Sequence, residues 1–152
     1  MTEDLMLDAK VALVQERFDD SVAAFCQVIE QEPDNKIALF SCGIARLRNE
    51  DYQNAIADFT KYIEFNPKND KVFCSRGNAY MALDQLENAM EDFNKSIEIN
   101  PHYATAYFSR ADLFTRMGEA VQAEEDKMVG DKLLVETSKA YYQSQGIAFD
   151  KP

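Results

Sequence analysis

The feature that most constrains the fold of this chain is a 34-residue period marked by prolines. Pro33, Pro67 and Pro101 lie 34 residues apart, and the segments that end at the last two, QNAIADFTKYIEFNP and ENAMEDFNKSIEINP, align position by position. A period of this length is typical of repeated structural units that stack on one another, because one short unit cannot bury its apolar face alone.

Each unit has the pattern of two helices. In the third unit, small or apolar residues recur at intervals of three and four, which is the spacing of one helical face. They are Phe73, Gly77, Tyr80 and Leu83 in the first helix, and Leu86, Ala89, Met90, Phe93 and Ile97 in the second. Asn-Pro ends the second helix, since proline disfavours helix in the residue before it. No segment alternates over the length of a strand, so the sequence predicts an all-α chain.

Three positions of the repeat keep their size from unit to unit. Small residues at two positions predict a close approach of the paired helices: Ala9, Gly43, Gly77 and Ala111 at one, and Ser21, Ala55, Ala89 and Ala123 at the other. Phenylalanine fills the third position, at Phe25, Phe59 and Phe93. The fourth unit departs from the pattern, because it has Lys127 at the phenylalanine position and no closing proline.

This period, with its small and large positions and its closing proline, resembles the tetratricopeptide repeat (TPR) family over almost the whole chain. The resemblance implies a right-handed superhelical stack of about four helix-turn-helix units with a C-terminal capping helix. The implied units are 2–35, 36–69, 70–103 and 104–132, followed by a cap at 133–145, in a single domain of residues 1–146. The tail 147–152 is expected to be extended or disordered. The sequence leaves open whether Gly130 divides the last helices.

Charge and composition narrow the classes of partner. The formal net charge of −11 argues against nucleic acid or an anionic membrane as a partner, since neither favours a negative surface. No apolar run approaches the roughly 18 residues of a membrane span, and the acidic start MTEDLMLDAK lacks the features of a secretory signal. The expected location is therefore the cytoplasm, with Cys26, Cys42 and Cys74 as reduced thiols.

No residue pattern predicts catalysis, a metal or a cofactor. The stretch FCSRGNAY at 73–80 contains Cys74, Ser75 and Arg76, but no base or metal ligand accompanies them at a recognisable spacing. His102, the only histidine, follows a helix-ending proline, and no phosphate-binding or nucleophile-elbow motif occurs. We therefore expect a protein that is not an enzyme and binds neither metal nor cofactor.

Acidic and basic residues vary together at two positions of the repeat. The four second helices carry Ala24, Asp58, Asp92 and Asp126 at one position, and the first helices that follow the first three of them carry Cys42, Arg76 and Arg110 at another. Acid and base are present together or absent together. The sequence therefore predicts salt bridges between successive repeats, from Asp58 to Arg76 and from Asp92 to Arg110.

The family resemblance also implies where a partner binds. In the family, the first helices of the units line the concave face of the superhelix, a surface called the groove below. The implied groove residues are Phe40, Ser41, Ile44, Leu47 and Arg48 in the second unit, Lys71, Cys74, Ser75, Asn78 and Met81 in the third, and Phe108, Ser109 and Asp112 in the fourth. Ser41, Ser75 and Ser109 recur at the 34-residue period. Their hydroxyls either form hydrogen bonds to an extended peptide or are simply small polar groups that suit the groove. The apolar members either bind a partner or are covered by the chain's own C-terminal end.

Some family members bind the acidic C-termini of chaperones through five basic and amide residues. The matching positions here hold Met6, Lys10, Ser41, Lys71 and Ser75. Only Lys71 agrees, so that ligand is not expected.

These features together favour a non-enzymatic interaction module, a scaffold or adaptor that holds a protein, a peptide or a partner helix in the groove. The alternative is a self-assembling structural protein, a homo-oligomer in which the tail or an edge of one chain packs into the groove of the next. The sequence does not specify the partner, because members of such a family share a scaffold and differ in their groove residues.

Overall fold

A computed structural model describes residues 1–149, which form four antiparallel pairs of helices and contain no strand. The helices are α1 (Thr2–Val14), α2 (Phe18–Gln31), α3 (Lys36–Arg48), α4 (Tyr52–Phe65), α5 (Asp70–Ala82), α6 (Leu86–Ile99), α7 (Ala104–Met117) and α8 (Ala120–Ser144). The prediction of an all-α repeat stack is confirmed. Within the predicted tail, residues 150–152 lie outside the described part of the chain.

The turn inside each pair is built in the same way in all four units. One residue per turn has a left-handed backbone, with φ of 59° at Glu16, 61° at Glu50, 59° at Asp84 and 79° at Gly118. The next residue donates its N–H to a carbonyl five residues back, as Arg17 does to Ala12 at 2.9 Å. Such turns satisfy the last carbonyls of a helix. They therefore fix the angle at which each second helix begins, even where the left-handed residue is not glycine.

The core of each of the first three units is a phenylalanine packed against its own hairpin. Phe25, Phe59 and Phe93 are fully buried. A Cβ atom added to Gly77 would lie 2.7 Å from the ring of Phe93, and one added to Gly43 would lie 2.5 Å from that of Phe59. The two glycines therefore have a packing role, since any side chain there would occupy the space of the aromatic ring.

The fourth unit exchanges the large and small residues between its helices. Lys127, at the phenylalanine position, is exposed, while Phe108 on α7 packs against Gly130 on α8. A Cβ on Gly130 would lie 2.7 Å from the tip of the Phe108 ring. The aromatic ring thus comes from the first helix and the gap for it from the second.

This exchange explains why Gly130 does not divide the helix. α8 is continuous from Ala120 to Ser144, so the separate cap predicted at 133–145 is the second half of the same helix. The glycine keeps helical geometry because its role is to make room for Phe108. A glycine that makes room for a ring and a glycine that ends a helix look the same in the sequence.

Contacts between units show how the stack curves. Each unit packs on the next, and the first helices also contact one another, α1 with α3, α3 with α5 and α5 with α7. Within residues 1–149 the second helices make no such contacts with each other. The first helices are therefore on the inside of the curve, where the right-handed superhelix has its groove.

Candidate partner-binding groove

The apolar part of the groove is on α3. Phe40, Ile44 and Leu47 are half-buried there and pack on the core between α3 and α4. The centroid of the Phe40 ring lies 6.0 Å from those of Phe59 and Tyr62. These contacts hold the ring in place and leave part of the apolar surface open to solvent.

Arg48 extends the same surface at the end of α3. Its side chain is exposed, and the guanidinium carbon lies 5.4 Å from the centroid of the Phe18 ring. Nη2 is 3.6 Å from a carboxylate oxygen of Glu16, an exposed ion pair that contributes little to stability. The guanidinium is therefore available to a partner at small cost.

Three of the implied groove residues are buried between α5 and α7, which corrects the expectation that they face a partner. Cys74 is 2% exposed, Ser109 8% and Met81 9%. The Cys74 thiol and the Ser109 hydroxyl lie 3.7 Å apart, and Arg116 donates from Nη1 to the Met81 carbonyl at 3.0 Å. The close approach of the two helices closes the groove over these side chains.

Phe108 is the fourth implied groove residue whose main contact is internal. The ring is half-buried against Gly130, so it stabilises the last helix pair. A substitution of Phe108 would therefore disturb the fold as well as any ligand.

The polar residues still accessible in the groove are found on α3, α5 and α7. Lys71 and Asp112 are exposed, and Ser41, Ser75 and Asn78 are half-buried. Residues 134–148, which could have covered this surface, are themselves exposed. The described part of the C-terminal end therefore does not pack into the groove.

The predicted salt bridges form within repeats and not between them, so this prediction is wrong. Arg76 donates from Nε and Nη2 to the two carboxylate oxygens of Asp92, in its own unit, at 2.8 Å each. Arg110 bonds Asp126 in the same two-pronged way, at 2.7 and 2.8 Å. The link to the preceding unit is a neutral one: Nη1 of Arg76 donates to the Thr60 hydroxyl at 3.1 Å.

Asp58 is bonded by Arg46 and not by Arg76, the partner that the sequence predicts. Cys42 occupies the arginine position of the second unit, and Arg46 reaches the carboxylate of Asp58 from one turn further along α3, at 2.6 Å. Nη2 of Arg46 lies 3.3 Å from the sulfur of Cys26, which takes the place of Thr60 at this junction. Each guanidinium thus joins a carboxylate of its own unit to the unit before it.

Burial makes each carboxylate dependent on its arginine. Burial raises the pKa of Asp92, and the hydrogen bonds from Arg76 oppose that rise. The guanidinium carbon of Arg76 lies 5.5 Å from the centroid of the Phe73 ring and 5.7 Å from that of the Tyr80 ring, and both members of the pair are largely buried. Of the described residues, only Arg46 has a buried side-chain nitrogen, Nε, without a hydrogen-bond partner.

The three cysteines are expected to react at very different rates with iodoacetamide. Burial raises the pKa of Cys74 to about 11 and also raises that of Cys42. The thiolate is the reactive form, so burial leaves both thiols mainly protonated and unreactive at pH 8. We expect half-buried Cys26 to be alkylated first and the other two only in urea, as mass spectrometry of peptides will show. Rapid labelling of Cys74 in the folded protein would mean that α5 and α7 separate readily.

Other kinds of site have little support in the described residues. No group of three or more side chains in residues 1–149 has the arrangement of a metal site. His102 is exposed next to the helix-ending proline, and its backbone N–H bonds Asn100 at 3.1 Å. No helix in the described range combines the length and apolarity needed to cross a membrane.

The stacked helix pairs, their 34-residue register and their open inner face define a protein of the helical-repeat class. Two models of the tetratricopeptide repeat match the sequence, one over residues 7–70 and the other over residues 71–103. The chain belongs to the tetratricopeptide repeat family. Repeats of this kind generally act as platforms for protein–protein interaction.

Solved structures share the fold at low sequence identity. MamA from Desulfovibrio magneticus RS-1 (residues 41 to the end) matches with a TM-score of 0.83 and 19% identity, over 91% of this chain and 77% of that one. The first TPR domain of Spaghetti (RPAP3), bound to the HSP90 peptide SRMEEVD, matches with a TM-score of 0.73 and 20% identity, over 77% of this chain and 93% of that one. The TPR domain of Arabidopsis OM64 matches with a TM-score of 0.70 and 23% identity, over 74% of this chain and 93% of that one. No curated protein matches the sequence.

Proposed function

We propose that this protein is a scaffold or adaptor, not an enzyme, and that it holds a peptide or helix of a partner protein in the groove. The observation that carries the proposal is the half-open apolar surface of Phe40, Ile44 and Leu47 beside the exposed charges of Arg48 and Lys71. An apolar patch rimmed by charges on a concave face is typical of a protein-binding site.

The charge of the groove suggests the chemistry of the partner. On the groove side of α3, α5 and α7, Arg48, Lys71 and Arg116 are basic and only Asp112 is acidic, in a chain of net charge −11. Opposite charges at an interface guide encounter and select among partners. A segment with apolar residues next to carboxylates therefore fits this surface best.

The peptide complex of the Spaghetti domain supports peptide binding by this fold. Its acidic peptide is not a model for the ligand here, because four of the five residues that the family uses for chaperone tails are replaced. The alternative in which the tail of one chain packs into the groove of the next has less support, since the ring of Phe149 lies 5.5 Å from that of Tyr142 in its own chain. The cytoplasm remains the location that we expect.

The test is affinity capture with a variant that alters only an exposed groove residue. We expect Lys71→Glu to lower capture of the partner from a lysate of the source cell by at least about tenfold, since the new carboxylate repels an acidic, apolar segment. Phe40 and Phe108 are left intact because their rings pack on the core.

The matched control is Lys95→Glu, which makes the same charge change on α6, outside the groove. Its ammonium bonds only Glu98, at 3.0 Å. Capture by this variant should equal that of the wild type. If the groove variant and the wild type retain the same proteins equally, the groove is not the binding surface.

A further inference from the structure

The last helix extends well beyond its partner. α8 has 25 residues, whereas α7, which runs antiparallel to it, has 14. The inner side of α8 is buried on α7 as far as Leu133, and every residue from 134 to 144 is exposed. Close to half of the helix is therefore largely uncovered, although the ring of Phe149 lies 5.5 Å from that of Tyr142 near its end.

A row of apolar side chains follows the outer face of α8 along most of its length. The row consists of Val121, Met128, Val135 and Tyr142, which are 69, 64, 40 and 39% exposed. Seven residues are close to two helical turns, so the four side chains lie on one side of the helix over roughly 30 Å. That side is opposite the buried residues Asp126 and Leu133.

Another repeat of the same kind would not cover this row. In the first three units, the position that faces the next unit holds Ile29, Ile63 and Ile97, all half-buried. α8 has Asp131 at that position, which a stacked hairpin would bury without a partner. A seven-residue apolar spacing instead supplies one of the two apolar positions per heptad of helices that pack along each other at a shallow angle.

The charges beside the row indicate a second copy of the same helix, in the antiparallel direction. The exposed charges of 120–131 are three carboxylates and one ammonium, Glu124, Glu125, Asp131 and Lys127. Those of 132–144 are two ammoniums and one carboxylate, Lys132, Lys139 and Glu136. Parallel helices would place the acidic halves together, whereas antiparallel helices place each acidic half against a basic one.

We propose that α8 mediates a two-fold symmetric dimer of this protein, by packing antiparallel on the same helix of a second copy. In this arrangement Val121 faces the partner's Tyr142, and Met128 faces the partner's Val135. The contact is isologous and therefore closes at two copies. It leaves the groove of each copy open, so a dimer can hold two partner segments and gain avidity for a bivalent partner. This goes beyond the proposed function and does not depend on it.

The test is the mass in solution, measured by light scattering and sedimentation over a wide range of concentration. The monomer mass is 17.3 kDa, and we expect twice that value. Val135→Glu places a carboxylate in the centre of the contact and should raise the dissociation constant at least about tenfold. The matched control is Val11→Glu on α1, because Val11 is 42% exposed against 40% for Val135.

A monomer at all concentrations, or a dimer unchanged by Val135→Glu, would overturn the proposal. So would a dimer that is lost in Val11→Glu but not in Val135→Glu, since the contact would then lie on α1. Deleting residues 146–152 should leave the dimer intact. Its loss on that deletion would show that the tail, and not α8, joins the two copies.

The relative direction of the two α8 helices is tested by disulfide formation in a Cys26→Ser background. Mild oxidation removes two electrons and two protons from a pair of thiols that lie in contact. Met128→Cys combined with Val135→Cys should give a covalent dimer, because the thiol at position 128 of one copy faces the thiol at position 135 of the other. Either substitution alone should give none. A covalent dimer from Met128→Cys alone would indicate parallel helices and reject the antiparallel arrangement.

Discussion

Replacing Arg76 with methionine is expected to lower the free energy of unfolding by about 3–5 kcal/mol. Asp92 is buried, and Arg76 donates two of its side-chain hydrogen bonds to that carboxylate. Without the guanidinium, the carboxylate keeps its desolvation cost and loses its partner, while methionine retains most of the apolar stem. Urea denaturation followed by circular dichroism measures the change.

Two comparisons separate this effect from a general loss of charge. Arg48→Met removes an exposed ion pair with Glu16 and should cost less than about 1 kcal/mol. A double-mutant cycle should give a large coupling energy between Arg76 and Asp92 and almost none between Arg76 and Asp58. Equal coupling energies for the two pairs would contradict the assignment of each arginine to its own repeat.

The fold could be predicted because one pattern recurs at the same spacing. The prolines set the period, and the buried rings of Phe25, Phe59 and Phe93 lie where a large residue was required. Gly43 and Gly77 lie against two of these rings. A pattern that constrains the same contact several times leaves little freedom in how the helices pair.

The ion pairs could not be assigned from the same pattern, because two pairings fit it almost equally well. Within a repeat, the matching positions are Arg76 with Asp92 and Arg110 with Asp126, but Asp58 then has Cys42 opposite. That exception favoured pairing between repeats. The structure resolves it through Arg46, which reaches Asp58 from one turn further along the helix. The position in a repeat predicts where the Cα atom of a residue lies, but the charged group of a long side chain can lie a full helical turn away.

The sequence also could not predict which of the groove residues are accessible to a partner. Family geometry indicates which helix face is concave, but whether a residue there is accessible depends on how closely neighbouring first helices approach. Cys74 and Ser109 are small and lie in contact, so α5 and α7 come together and bury them with Met81. Bulky Phe40 keeps its position partly open on α3. The volumes of side chains on two different helices decide whether a groove residue is accessible, and their combined effect depends on how the helices pack.

Replacing Gly77 with alanine is expected to lower the free energy of unfolding by about 1–3 kcal/mol, although alanine favours a helix by about 1 kcal/mol. The new Cβ would lie 2.7 Å from Cε1 of Phe93 and 3.2 Å from Cβ of Asp92. Phe93 is fully buried, so its ring cannot move aside into solvent. Adding Phe93→Leu should make the double variant less destabilised than the sum of the two single changes, as urea denaturation will show.

Gly130→Ala is the matched comparison, because its Cβ would also lie 2.7 Å from a phenylalanine ring. Here the contact is with the tip of Phe108, which is half-buried and can rotate outward toward solvent. The gain in helix propensity should then offset the strain, so that the free energy of unfolding changes by less than about 1 kcal/mol. Equal destabilisation by the two substitutions would mean that Phe108 is held as firmly as Phe93. The last helix pair would then be as rigid as the inner repeats, although no further helix pair packs on it within residues 1–149.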